Sequence, residues 1–354
     1  MARRKKSKKS LKTLIIIVLI LAIVLGAWYV VSPTSFNDVF GELLVSLGLK
    51  EPDSGLGAPE GDLKIHFVDV GQGDAIYVQF PDGKDMLIDA GDRDTDITEG
   101  LIAYLDSLGT LVDGLDYLML THTDSDHVGG MDNVLEEYVV RRVYMPNVGA
   151  REEDPERGYI TTSTAYVPFY NAVQNEVGIE VVYNEGFLEI DGSNYSVDIY
   201  CPDESYYDGI KPSSSAENKN NMSPVVVIEY AGVRTLLSGD LNLETGSTTY
   251  AWSEKHFIEA TGLAKLDCDV IKAGHHGSYG STGEELLNFT DPDYVIVCVG
   301  EGNSYEHPHT EFINRVLQYD SSLSDKIYRT DEKGHIVMNI GEDGVYDFAF
   351  SNAA

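Results

Sequence analysis

Leu120-Thr121-His122-Thr123-Asp124-Ser125-Asp126-His127-Val128-Gly129-Gly130 sets four side chains able to bind a metal within six residues, directly after an apolar strand. On an extended chain alternate side chains share a face, so His122, Asp124 and Asp126 point one way. His127 turns aside as the chain bends at Gly129-Gly130 into a helix. One loop of this kind can serve two adjacent ions. Packing its carboxylates together without a cation is repulsive. The plain alternative is a polar strand-to-helix turn capped by Thr123 or Asp126, but a cap needs one such side chain, not four.

Working outward, Leu63–Val70 and Ala75–Phe80 read as strands joined across Gly71-Gln72-Gly73-Asp74, with Met86–Asp89 a third strand. Residues 97–108 carry Ile97, Leu101, Leu105 and Leu108 on one helical face. Leu115–Leu120 is a buried strand leading into the histidine loop, and a helix runs from Gly129 to about Tyr138. After a middle rich in Tyr, Ser and Asn, Val225–Tyr230 and Val233–Leu237 form a hairpin around Ala231-Gly232. Strands follow at Val270–Lys272, Tyr294–Val299 and Ile336–Ile340, with helices at 248–261, 283–289 and 310–318. Hairpins followed by strand–helix alternation predict an α/β fold of two mixed sheets with helices outside, a four-layer αββα sandwich spanning residues 63–350. Leu87-Ile88-Asp89-Ala90-Gly91-Asp92 faintly echoes Leu236-Leu237-Ser238-Gly239-Asp240-Leu241. Each sets an Asp at the end of an apolar strand, as two related halves would.

The first residues differ from the rest. Residues 1–12 hold seven of the 25 Lys and Arg and none of the 58 Asp and Glu, which leaves −40 on the remainder of the chain. The basic segment 1–13 precedes Leu14–Val31, eighteen residues without a charge, long enough to cross a bilayer as a helix. The positive-inside bias then holds 1–13 in the cytoplasm and the later domain outside, as a single-pass protein of the cell membrane. A cleaved signal peptide is the competing account, but the run is long for one and no small-x-small cleavage site follows. Residues 32–62, with three prolines and five glycines, read as stalk and linker. The acidic field disfavours loose binding to polyanions such as DNA. Cys201, Cys268 and Cys298 are odd in number and lack a CxxC spacing, so buried free thiols are expected.

The histidine loop resembles the HxHxDH signature of the metallo-β-lactamase superfamily, in an HxDxDH form. The pieces around it resemble one branch, the hydrolase domain of ComEC-type competence proteins. They are His66-Phe67-Val68-Asp69-Val70-Gly71-Gln72-Gly73-Asp74, the strand end at Asp89, Asn220-Asn221-Met222-Ser223, Leu237-Ser238-Gly239-Asp240, His275-His276-Gly277-Ser278 and Asn303-Ser304-Tyr305-Glu306-His307-Pro308-His309. This resemblance implies a hydrolase that uses a metal-activated water and two divalent ions, zinc or manganese. Metal 1 would take His122, Asp124 and a bridging Asp240. Metal 2 would take Asp126, His127, Asp240 and one histidine of the 275–276 pair, with His276 favoured because it directly precedes the glycine.

Asp126, His275 and His307 are the implied catalytic residues, with His275 or His307 as the proton donor to the leaving group. Asp89 would brace the loop from behind. Asp69, Asp74, Asn221, Ser223 and His309 fall in the matching segments as supporting or substrate-facing residues. Lys272, at a strand end, either holds a phosphate or oxyanion or is an ordinary solvated lysine. His66, His256 and His335 are read as structural. The chain departs from the superfamily pattern at Asp124, which stands where a histidine is usual, and in having no histidine between His127 and His256. Asn221, Ser223 or water would fill that space, and the oxygen-rich metal 1 suits manganese better than an all-imidazole site does.

The implied reaction is phosphodiester hydrolysis at the cell surface, with DNA disfavoured by the acidic charge and the lack of a basic stripe. Hydrolysis of small esters, lactones or phosphocholine-type substrates is the alternative, and a non-catalytic surface binding protein on the same fold is the third reading. No protein partner can be inferred.

Overall fold

The computed structural model describes residues 61–149, 163–204, 206, 219–243 and 252–352. The predicted membrane span 14–31 lies outside them, as do the basic segment and nearly all of the stalk. Among the described residues no helix is long and apolar enough to cross a membrane.

The described residues form a mixed α/β fold with two sheets. The first has eight strands. Leu63–Phe67 (β1), Ile76–Gln79 (β2) and Asp85–Ile88 (β3) make an antiparallel meander. Leu115–Met119 (β4), Val140–Met145 (β5) and Glu180–Tyr183 (β6) extend it in parallel from β3. The second sheet has seven strands and begins with Phe187–Asp191 (β7). Tyr195–Tyr200 (β8), Val225–Tyr230 (β9) and Val233–Leu237 (β10) are again an antiparallel meander. Val270–Lys272 (β11), Tyr294–Val297 (β12) and Ile327–Arg329 (β13) again run on in parallel. The chain then returns to the first sheet, where Ile336–Ile340 (β14) pairs with β1 and Tyr346–Phe350 (β15) closes the edge. Three antiparallel strands followed by three parallel ones thus occur twice in the same order. The faint echo in the sequence is this repetition, since Asp89 directly follows β3 and Asp240 lies three residues beyond β10.

Alternation along the strands explains how the layers pack. Met86 and Ile88 of β3 and Val226 and Ile228 of β9 meet in one apolar cluster drawn from both sheets. Leu87, Val225 and Val227, their alternates, join a second cluster together with the helices. Those helices include Thr95–Leu108 (α1), Met131–Glu137 (α2), Tyr166–Asn175 (α3), Glu254–Thr261 (α4), Glu284–Thr290 (α5) and Thr310–Tyr319 (α6). The sheets therefore lie face to face with helices against their outer faces. Asp94 starts α1 by accepting from Asp96 N at 2.9 Å, and Gly109, at φ 67°, ends it. Caps of this kind contribute about 1 kcal/mol each.

Several boundaries differ from the sequence reading. The Gly71-Gln72-Gly73-Asp74 segment is not a tight hairpin turn. Residues 68–75 form an eight-residue loop that leaves the sheet and runs beneath the histidine loop, with Asp74 N donating to Asp126 O at 3.2 Å. A Cβ on Gly73 would lie 2.3 Å from Asp126 O, so only glycine fits this approach. The helix expected from Gly129 begins at Met131, after a separate turn over Ser125–Val128. The middle of the chain holds β5 to β8 and α3, which the sequence reading left unassigned. β6 and β7 are half exposed and follow no clean alternation, so their pattern is weak. The three cysteines are buried and free.

Candidate metal centre

Every strand that points at the centre ends just before a side chain that enters it. β3 delivers Asp89, β4 the His122–His127 loop, β10 Asp240 and β11 the His275-His276 pair. The centre lies beyond the C-terminal ends of parallel strands, where loops from neighbouring strands converge. His122, His127 and Asp240 have ligand atoms mutually within 4.8 Å, and so do Asp126, His127 and His276. Residues 154 positions apart are thereby brought together.

The three histidines are held alike. His127 Nδ1 donates to the buried Asp89 carboxylate at 2.7 Å. His276 Nδ1 donates to Cys298 O at 2.8 Å. His122 Nδ1 contacts Thr121 Oγ1 at 3.0 Å and Ser223 Oγ at 3.3 Å. With Nδ1 engaged, each ring turns Nε2 inward, and the Nε2 atoms of His127 and His276 face each other at 3.2 Å. Two neutral imidazoles held in this way would oppose lone pairs, an arrangement that a cation relieves. His122 Nε2 and Asp240 Oδ1 are buried without a hydrogen-bond partner, a costly state unless an ion completes them. The donor set, imidazole nitrogens with carboxylates, is that of zinc or manganese sites. The residues present therefore fit a metal centre.

Asp240 sits between two halves of this cluster. Its Oδ1 is 3.3 Å from His127 Nε2 and 3.5 Å from His276 Nε2, and its Oδ2 is 3.8 Å from His122 Nε2. Asp126 Oδ2 lies 3.4 Å from His276 Nε2, and Asp124 Oδ2 lies 3.9 Å from His122 Nε2. The set around His127 and His276 is the tighter one.

The field is that of a cation site. Burial alone would lower the pKa of His276, yet Asp240 and its contacts with Asp126 and Asp74 push it up to about 10. His127 is raised well above its ordinary value against burial, by Asp240 and Asp89. Burial would raise the Asp240 carboxyl, but His276, His127 and His275 hold it well below the usual range. The clustered carboxylates favour positive charge at the point where the Nε2 atoms meet.

The supporting residues sort by contact. Asp89 is fully buried and also accepts from Thr121 N at 2.8 Å and Thr121 Oγ1 at 2.6 Å, tying the loop to β3. Asp74 Oδ1 is 3.4 Å from His276 Nδ1. Ser223 Oγ accepts from Asp240 N at 3.1 Å while touching His122, so one hydroxyl joins two loops. Asp69 stays outside the centre, accepting from Gly71 N at 3.1 Å and donating its own N–H to His335 Nδ1.

Two expectations are corrected. Lys272 is neither a phosphate holder nor a solvated lysine. It is buried beneath the centre with Nζ 2.5 Å from Asp74 Oδ2, 2.9 Å from Gly239 O and 3.8 Å from Asp240 Oδ1. An extended side chain at a strand end reads as solvated only until a buried acid is found to face it. Asn221 does not fill the space of the missing histidine. Its Oδ1 accepts from Asn242 N and Nδ2 at 3.3 and 3.1 Å. His309 stands behind the cavity wall, with its ring 4.7 Å from that of His307 and its Nδ1 accepting from Tyr279 N at 3.1 Å.

A cavity of 290 Å³ opens over the centre, lined by Asp124, Asp126, Asp240, His275, His276 and His307, and also by Gln72, Ser163, Lys219, Asn220 and Tyr305. Gln72, Asn220 and Tyr305 fall in the segments that carry the resemblance, whereas Ser163 and Lys219 were not singled out from the sequence. No local spacing marks Ser163 or Lys219, because each reaches the cavity from a segment remote in sequence from the histidine loop. His275 has Nε2 3.7 Å from Asp240 Oδ2 and its ring against Asn220 Nδ2. Burial lowers the pKa of His275. Burial and the rings of His276, His275 and His309 take His307 down to about 3. His66 and His256 are structural, bonded to Tyr104 and Gln79 and to Ser253.

The sequence profile of the metallo-beta-lactamase superfamily matches residues 68–301. ComE operon protein 3 of Bacillus subtilis (strain 168) is 30% identical over 289 residues, covering 77% of this chain and 32% of that protein. Competence protein ComA of Neisseria gonorrhoeae is 27% identical over 288 residues, covering 81% of this chain and 34% of that one. Recombination protein 2 of Haemophilus influenzae is 26% identical over 289 residues, covering 79% and 29%. The chain spans about a third of the length of these relatives.

Proposed function

The chain belongs to the metallo-β-lactamase superfamily, and from that premise we propose that it is a metal-dependent hydrolase of phosphodiesters, anchored in a membrane by residues 14–31 with its catalytic domain outside the cell. The observation that carries the reading is the convergence of three inward Nε2 atoms on Asp126 and Asp240, with every Nδ1 already engaged. Asp126, His127, Asp240 and His276 would hold the firmer ion, with contacts among them of 3.2–3.5 Å. His122, Asp124 and Asp240 would hold the weaker one, across 3.8–3.9 Å. Two such ions supply an ionised water and Lewis-acid stabilisation of the transition state.

The chain's own residues do the rest. Asp240 presents one oxygen to each half of the centre. Asp89, Thr121 and Ser223 hold the loops at fixed separation. Lys272 and Asp74 neutralise each other beneath the centre, and the ammonium keeps the Asp74 carboxyl down at about 2 against the effect of burial. His275, on the cavity wall, is placed to give a proton to the leaving group. Its depressed pKa means that an arriving anion must raise it first. His307, held lower still, serves as a hydrogen-bonding wall. Relatives named for competence and recombination suit a phosphodiester substrate. The anchor rests on the basic cluster and the eighteen uncharged residues after it.

The test is purification without chelator and quantitation of bound metal, followed by assay of bis-p-nitrophenyl phosphate with manganese and with zinc. Co-purifying metal and activity abolished by chelator are expected. A metal-free protein that takes up neither ion would refute the proposal.

A further inference from the structure

The cavity floor is acidic, with Asp124, Asp126 and Asp240, and the domain around it carries a large negative charge. Among the described residues lining the cavity, Lys219 is the one lysine or arginine. Its side chain is 16% exposed and paired with Asp124 Oδ1, while Asp124 Oδ2 faces His122. One carboxylate thus turns an oxygen to the metal side and an oxygen to the ammonium, and so fixes the lysine beside the centre. An ammonium has three donors, and the carboxylate needs one of them. The next residue, Asn220, has Nδ2 3.2 Å from His275 Nδ1, so the cation and the proton-donating ring stand on one wall.

We propose that Lys219 is the anion anchor of this site, binding a non-bridging oxygen of the substrate's phosphate and holding its ester oxygen toward His275. The inference rests on the hydrolase reading and narrows it, because a substrate with an anionic oxygen next to the scissile bond gains from Lys219 and a neutral ester or lactone does not. A partly buried ammonium is screened less than a surface one, so a single charge suffices despite the acidic surroundings. Lysine suits the task as a compact point charge on phosphate.

The experiment uses the full chain loaded with manganese, as wild type, Lys219→Gln and Lys219→Arg. Calorimetric titration with inorganic phosphate measures the anion subsite without turnover. Lys219→Gln is expected to bind phosphate about tenfold more weakly, the scale of one charge-assisted hydrogen bond, with Lys219→Arg recovering most of the loss. The ratio of kcat/KM for bis-p-nitrophenyl phosphate to that for p-nitrophenyl acetate is expected to fall about tenfold in Lys219→Gln, through KM of the diester. Manganese content and melting temperature are measured on the same samples. Unchanged phosphate affinity in Lys219→Gln overturns the proposal. So does loss of manganese in that variant, which would make Lys219 a support of the loop, and so does an equal loss on both esters. A wild type without diesterase activity whose phosphate binding still depends on Lys219 refutes the proposed function and leaves the anchor standing.

Discussion

Replacing Asp89 by Asn tests the centre through a residue that touches no ion. The Asp89 carboxylate is fully buried and accepts from Thr121 N, Thr121 Oγ1 and His127 Nδ1 at 2.8, 2.6 and 2.7 Å. Asparagine has nearly the same shape but one oxygen and one NH2 group, so an N–H must face a donor on one side. If it faces His127, the imidazole shifts its proton to Nε2 and loses the lone pair aimed into the centre. If it faces Thr121 N, the loop loses that bond and keeps the one from Thr121 Oγ1, and the bond to His127 becomes a neutral one of roughly half the strength. Loss of such an outer partner lowers metal affinity about 10–100-fold, or roughly 1.4–2.7 kcal/mol. The unpaired buried donor costs the metal-free fold a further 1–3 kcal/mol or so. Chelator-competition titrations with zinc and manganese measure the first effect, and denaturant melts of metal-free protein measure the second. Asp69→Asn is the control, since Asp69 contacts Gly71 and His335. If folded Asp89→Asn bound zinc within twofold of wild type, the account of how His127 is oriented would be wrong.

Other outcomes follow from the same geometry. Asp240→Asn should reduce bound metal at both positions, as read by metal analysis after gel filtration, because each oxygen faces a different half of the centre. Asp124→His should raise zinc affinity relative to manganese, since imidazole is the softer ligand; an unchanged preference would remove Asp124 from the ligand set. Glu254 is buried, accepts from Gly283 N at 2.8 Å and from Thr282 N, and burial lifts its pKa from 4.5 to about 7. Between those values the folded state keeps the proton that the unfolded state has released, so stability falls as pH rises through the window. The loss is on the order of 3 kcal/mol, and Glu254→Gln should flatten that slope in melts taken at pH 4.5 and 7.5. Protease treatment of intact cells should release the domain if residues 14–31 are an anchor with the chain outside, whereas protection until lysis would reverse the orientation.

The histidine loop was legible because its ligands lie within six residues and their types have no cheaper explanation. Strands with regular burial were equally plain, and β9, β10, β11 and β14 fall at the residues that the pattern marks. Asp240 and His276 were different. Nothing local distinguishes Asp240 from a turn aspartate, and only the order of segments shared with relatives placed it at the centre. Lys272 and Lys219 show the limit of local reading. Lys272 ends β11 and Lys219 lies six residues before β9, yet one is buried on Asp74, 198 positions earlier, and the other is paired with Asp124, 95 positions earlier. Charge partners at such separations are made by topology, and spacing along the chain carries no trace of them.

The repeated strand order shows how two matching strand ends can take on different tasks. Asp89 follows β3 and Asp240 follows β10, each at the corresponding edge of an antiparallel meander. Asp89 turns its oxygens to the outer nitrogen of His127 and to Thr121, and Asp240 turns its own to the inner nitrogens of His122, His127 and His276. His127 is consequently gripped between them, with one carboxylate on each ring nitrogen. Backbone conformation supports the difference. Asp89 has φ 60°, unusual for a residue with a side chain, whereas the equivalent bend beside Asp240 falls on Gly239 at φ 50°, where a Cβ would lie 2.8 Å from Ser223 Oγ. In the first half the aspartate itself takes the strained position and is buried behind the ring. In the second a glycine two residues past the strand takes it, and Asp240 follows it, in front of the rings, where an ion would bind.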